Sequence, residues 1–107
     1  MDKIAEIKGV LRQLGITPDL NGYHYLLKGV GLIRDDFNSG KTPRSFMCVY
    51  KDIANEFGKS YQSVERCIRT CVELARNSNT ELFDILFGNL NVVTSSCFIS
   101  IVAEYVS

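Results

Sequence analysis

From Ile4 to Tyr105 the apolar residues recur at spacings of three and four, interrupted by short runs of turn-forming residues. That rhythm predicts helices nearly throughout and leaves little room for a sheet. Ile4, Ile7, Leu11 and Leu14 share one helix face, and Gly15 stands where a helix C-terminus favours glycine. Thr17-Pro18-Asp19 breaks the chain, and a second helix is expected from about Asn21, with Tyr23, Leu26, Leu27, Val30 and Ile33 inward. Gly29 and Gly31 each weaken it by about 1 kcal/mol relative to alanine, so both are expected at close packing. Asn38 to Pro43 forms the longest loop. A short helix from Val49 to Phe57 and a Gly58-Lys59 turn follow, and Ser60 then caps a long helix running to about Arg76. Thr80 caps a further helix, Glu81 to Phe87, and Thr94-Ser95-Ser96 opens a last one carrying Phe98, Ile101, Val102 and Tyr105. Leu90 to Thr94 has the β-branched content of a short strand without an evident partner. The expectation is an all-α domain of about six helices over residues 1–107. Its centre is a helix-turn-helix at about 49–76, winged-helix-like but without a clear wing.

Composition narrows the class. The 107 residues suit a single core, and no stretch is apolar over the eighteen or so residues a membrane span needs. The N-terminus MDKIAEIKG lacks the apolar centre of a signal peptide, so a soluble, cytoplasmic chain without membrane contact is expected. Cys48, Cys67, Cys71 and Cys97 form no CxxC pair and His24 is the one histidine, so buried reduced thiols are expected rather than a metal site. Twelve basic side chains balance twelve acidic ones, but unevenly along the chain. Residues 28–76 carry nine basic against six acidic, whereas residues 77–107 contain no Lys or Arg. A basic middle points to an anionic partner for that segment.

That segment is also the one with chemistry. On the helix after Ser60, Gln62, Glu65, Arg66 and Arg69 fall within an arc of roughly 100°, while Val64, Ile68, Cys71 and Ala75 lie opposite. A recognition helix presents such a set from its N-terminal half to base edges. Arginine donates two hydrogen bonds to guanine, glutamate accepts from cytosine and glutamine pairs with adenine. Lys59, Ser60 and Ser63 are placed to meet phosphates beside the helix N-terminus. The competing reading is an ordinary solvated face, with Glu65 and Arg69 as a surface ion pair worth about 0.2–0.5 kcal/mol. Tyr61 either touches DNA or covers the turn. His24 is expected as a partly buried packing residue, and Asp35-Asp36 as solvated carboxylates. Ser39-Gly40-Lys41-Thr42 lacks the upstream glycine of a phosphate loop. No nucleophile–base arrangement stands out, so neither an enzyme nor a cofactor is expected.

Read as a string, the chain resembles the C-terminal effector domain of the master sporulation response regulator of endospore-forming bacteria. The resemblance runs through Leu14-Gly15-Ile16, Asn21 to Leu26 and Tyr50 to Phe57. It is densest in Val64-Glu65-Arg66-Cys67-Ile68-Arg69, where the family reads V-E-R-A-I-R, and resumes at Leu86-Phe87-Gly88 and Ser96 to Ala103. It implies a six-helix domain that binds short DNA boxes, often as tandem copies, and regulates early sporulation genes. By position it assigns Glu65, Arg66 and Arg69 to the major groove. It assigns Phe98, Ile101, Val102 and Tyr105, on a helix at about 96–106, to homodimer or tandem association. The Arg76 to Phe87 segment resembles the part that meets the sigma subunit of RNA polymerase. In that family a phosphorylatable receiver domain precedes the effector. A chain starting near the first helix fits either an excised effector or a stand-alone form.

Departures from the family pattern point toward weaker electrostatics. Ser63 stands where the family often has arginine, Thr70 where it often has histidine, and Lys51 in place of a proline. The Asn89 to Ser95 loop is shorter than the family's and has lost its lysines. The leading expectation is a sequence-specific transcription regulator bound to double-stranded DNA on the nucleoid. The alternative is a protein-interaction module of the same fold that associates with a full-length regulator.

Overall fold

The computed structural model describes residues 3–107, so Met1 and Asp2 of the expected domain lie outside the described residues. Among the described residues there are six α-helices and no strand: α1 (Lys3–Gln13), α2 (Asn21–Asn38), α3 (Phe46–Phe57), α4 (Tyr61–Asn77), α5 (Glu81–Phe87) and α6 (Ser95–Val106). Among the described residues no helix is long and apolar enough to cross a membrane. The Leu90 to Thr94 segment is irregular, not a strand. Arg76 Nη2 donates to the Asn91 carbonyl at 2.6 Å and so fixes this segment against α4.

Local chemistry sets the boundaries. Gly15 adopts φ +87°, and its N–H donates to Arg12 O at 3.0 Å while the Ile16 N–H reaches Leu11 O at 2.9 Å. This double bond pattern closes α1, and Ile16 buries itself beside Leu11. Helix α3 begins three residues before the expected Val49 because Ser45 caps it, its hydroxyl accepting from Cys48 N at 3.3 Å. Ser60, Thr80 and Thr94 cap α4, α5 and α6 in the same way, through the N–H groups of Ser63, Phe83 and Cys97.

Helix α2 is the centre, packed against α1, α3, α4 and α6. It passes close to α4 at Gly22, where a Cβ would lie 2.5 Å from both the Cys67 carbonyl oxygen and Cys71 Sγ. Gly29 faces Val49 and Ile53 of α3 at ordinary contact distance, as its spacing suggests. Gly31 corrects the expectation, with nothing within 4 Å of its Cβ position. In the core Phe87 of α5 stacks on Phe98 of α6, with centroids 5.2 Å apart. Three further expectations change. Only Cys71 is a buried thiol; Cys67 and Cys97 are half-buried, Cys48 is exposed, and all four are free. His24 is exposed, its ring edge-on to Tyr23. Asp36 is buried, not solvated, and ion-paired to Arg44.

Candidate nucleic-acid interface

Helices α3 and α4 meet through the turn at Gly58, whose φ of +64° a glycine adopts without strain. Lys59 N donates to Ala54 O at 3.0 Å, closing α3 before Ser60 opens α4. One aromatic contact then joins the pair, and a second ties α3 to α2. Tyr50 of α3 meets Tyr61 of α4 edge-to-face at 5.6 Å, and Phe57 at the end of α3 meets Tyr25 of α2 at 5.0 Å. Tyr61 is half-buried against Tyr50. Burial, with Glu65 and Tyr61 nearby, pushes the Tyr50 hydroxyl up to about 12.

The inner side of α4 is formed by Val64, Ile68, Cys71, Val72 and Ala75, all buried. Burial raises the Cys71 thiol to about 11, so it stays protonated and serves as packing. On the outer side Gln62, Arg66 and Arg69 are exposed and Glu65 is half-buried, so the four residues expected at base edges share one accessible face. Lys59 and Ser60 are exposed and Ser63 is half-buried at the N-terminal end of the same helix. The Ser60 hydroxyl and the Ser63 N–H are already joined in the cap at 3.1 Å, which limits what either gives to a phosphate.

Ion pairing decides how much of the basic excess reaches this face. Lys28 pairs with Glu56 at 3.0 Å, Arg34 with Glu6 at 3.1 Å and Arg44 with Asp36 at 2.9 Å. Arg69 approaches Glu65 at 3.6 Å, one turn away on α4. Lys41, Lys51, Lys59 and Arg66 make no ion pair among the described residues. The Glu65–Arg69 pair is solvent-accessible and worth about 0.5 kcal/mol at most.

A cleft of about 530 Å³ runs beside this face, between Glu65, Arg69 and Arg76 of α4, Phe46 and Tyr50 of α3, and Val92 of the irregular segment. A larger cleft of about 730 Å³ lies between α1, α2 and the end of α3, and no residue of α4 lines it. Among the described residues no group of three or more His, Cys, Asp or Glu side chains is arranged to hold a metal.

The expected association helix is only partly available. Phe98 and Val102 are fully buried in the core, so a partner reaches neither without opening the fold. Ile101 is half-buried, and Tyr105 is 52% exposed and free to meet another chain. On α5 the inner residues Leu82, Phe83 and Phe87 are buried, leaving Glu81, Asp84 and Ile85 outward.

Sequence reasoning missed two supports of this region: the Asp36–Arg44 pair before α3, and the Arg76 bond to Asn91. The first had a signal in opposite charges flanking a loop. The second ends on a backbone carbonyl, which leaves no trace in residue type. Residues 7–106 match the family described as Sporulation initiation factor Spo0A C terminal. That span includes all of α2 to α6 and the buried part of α1.

Proposed function

The chain belongs to the family of the sporulation initiation factor Spo0A C terminal, whose members are DNA-binding transcription regulators and not enzymes, and on that premise we propose that it reads a specific sequence in duplex DNA. Helix α4 enters the major groove by its N-terminal half. Arg66 takes guanine through its two-pronged guanidinium, Glu65 accepts from an adjacent cytosine or orients the arginines, and Arg69 and Gln62 add base or phosphate contacts. Lys59, Ser60 and Ser63 hold the backbone and set the register. The observation that carries this reading is the accessible Gln62–Glu65–Arg66–Arg69 face on a helix whose opposite side is locked into the core.

Titration against a duplex bearing the family's box and a scrambled control, at two salt concentrations, tests it. Arg66→Ala is expected to cost about 1–3 kcal/mol on the box alone, whereas Lys59→Ala weakens both duplexes alike and lowers the salt slope by about 0.9. Unchanged box binding by Arg66→Ala would sink the docking.

Residues 1–107 then act as one effector unit on the nucleoid, with the helix-turn-helix at 49–76. Copies associate in a dimer or in tandem through the outer face of α6, by Tyr105 and Ile101. The exposed Ile85 flanked by Glu81 and Asp84, in a segment without Lys or Arg, suits a basic partner surface such as the sigma subunit of RNA polymerase. These same exposed surfaces support the second reading, an interaction module that pairs with a full-length regulator. Light scattering with and without duplex separates the two readings, since only the first requires salt-dependent duplex binding.

A further inference from the structure

Segment 38–45 delivers the chain from the end of α2 to the start of α3 and so sets where the helix-turn-helix begins. It turns at Gly40, whose φ is +71°, and Lys41 N donates to Asp36 O at 3.1 Å. Beyond that point, the hydrogen bonds that tie residues 42–44 back to α2 all end, among the described residues, on one carboxylate. Arg44 N and Nε both donate to Asp36 Oδ2 at 2.9 Å, and Arg44 Nη2 donates to Asp36 Oδ1 at 2.9 Å. The Asp36 side chain is 9% exposed, and Arg44 Nη1 also lies 3.8 Å from Asp52, nearly two turns into α3. The next residue is Ser45, the cap of α3.

We infer that Asp36 and Arg44 form a clamp that positions the helix-turn-helix for DNA, an inference that rests on the proposed DNA-binding reading. The path runs through named contacts. Asp36, on the central helix, fixes Arg44; Arg44 fixes Ser45 and, through Asp52, the first turns of α3; Tyr50 of α3 then abuts Tyr61 in the first turn of α4. A two-pronged arginine–carboxylate pair adds direction as well as attraction, which a lysine in the same place does not supply. The strength of the donation to Asp36 is reflected in its carboxyl, which Arg44 holds down to about 2. Asp36 and Arg44 are positioning residues and touch no base.

The clamp makes a prediction opposite in sign to simple electrostatics. Asp36→Asn removes a negative charge and releases a positive one close to α3, so charge alone would tighten binding to an anionic duplex. A positioning role demands that it weaken. Binding to the box duplex and the scrambled duplex is measured for the unaltered chain, Asp36→Asn and Arg44→Lys, with helicity followed by circular dichroism at the same temperature. Amide hydrogen exchange is recorded at Cys48, Val49 and Tyr50. Both variants are expected to lose about fivefold or more of box affinity and to keep the salt slope of the unaltered chain, with faster exchange at those amides. Arg44→Lys keeps the charge and nearly the volume, so it carries the test if Asp36→Asn fails to fold. Equal or tighter box binding by Asp36→Asn, full affinity in Arg44→Lys, or unchanged exchange at the start of α3 overturns the clamp. Failure of the unaltered chain to distinguish box from scrambled duplex refutes the DNA reading instead, and the exchange data then judge the clamp by itself.

Discussion

The crossing of α2 over α4 predicts that two glycines of one helix respond to alanine with opposite signs. At Gly22 the new methyl carbon would lie 2.5 Å from the Cys67 carbonyl oxygen and 2.5 Å from Cys71 Sγ. The thiol can rotate away, but the carbonyl belongs to the backbone of α4, so the helices must part. Overpacking of that kind costs about 1–3 kcal/mol. Alanine's helix preference returns at most about 1 kcal/mol, and less in the first turn where Gly22 sits. The net expectation is a loss of about 1–2 kcal/mol. At Gly31, mid-helix with nothing within 4 Å of a Cβ, only the preference remains, and a gain of about 0.5–1 kcal/mol is expected. Urea unfolding of both variants beside the parent measures the difference, and in thermal melts each kcal/mol moves the midpoint of a domain this size by about 4 °C. A Gly22→Ala variant as stable as the parent, or a Gly31→Ala variant that loses as much, would refute the assigned crossing.

Further outcomes follow from caps and titrating groups. Ser60→Ala is expected to lose about 1 kcal/mol of stability by removing the α4 cap, with Ser60→Thr losing little, as thermal melts will show. Tyr50 and Cys71 titrate near 12 and 11 in the folded chain but near their ordinary values of about 10 and 9 when unfolded. The unfolded state therefore releases these protons first, and stability falls as pH rises from about 9 to 12; a Tyr50→Phe variant should show a flatter limb above pH about 10 in urea unfolding. Asp36 runs the other way. Its folded carboxyl is held to about 2 against about 4 unfolded, so its contribution is complete above pH about 4 and lost as pH falls toward 2. Acid unfolding of Asp36→Asn should lack that limb.

The helices were legible because their signals are local. Apolar spacing, Gly15, Ser60, Thr80 and Thr94 each state a boundary within four residues, and five of the six helices follow from such marks. The start of α3 was harder, because Ser45 competes with Pro43 and Arg44 as a loop residue and its role depends on where Asp36 holds Arg44. The glycines show the same limit. Spacing identifies a glycine within a helix but cannot say which neighbour crosses there, so Gly31, expected at close packing, stands open, while Gly22, for which no role was read, lies at the crossing with α4. Helix α6 shows it for a surface. Phe98, Ile101, Val102 and Tyr105 have one periodicity, yet the core takes Phe98 and Val102 and leaves Tyr105 outside. The face of α4 was legible for a different reason. Its polar and apolar sets occupy separate arcs, and the core claims one arc entirely.

Charge ties these levels together. The chain is neutral in sum, and its middle segment is basic by three charges. The fold then spends several of those cations internally. Arg44 holds a nearly buried carboxylate, the Arg34 side chain is 8% exposed against Glu6, and Lys28 is paired across to α3. Cations engaged that way act as joints between α1, α2 and α3, and are poor phosphate ligands. Lys51, Lys59 and Arg66 remain on the helix-turn-helix itself, with Lys41 on its approach. Non-specific attraction scales with the number of phosphates neutralised, whereas discrimination between sequences comes from a few fitted contacts to base edges. On the proposed reading, a surface with few available cations and an accessible Glu65–Arg66–Arg69 face would therefore trade background affinity for selectivity. The Glu65 carboxylate sharpens that trade. With α4 docked as proposed, it would repel phosphate wherever the helix is out of register and be tolerated only where a cytosine amino group or the neighbouring arginines satisfy it.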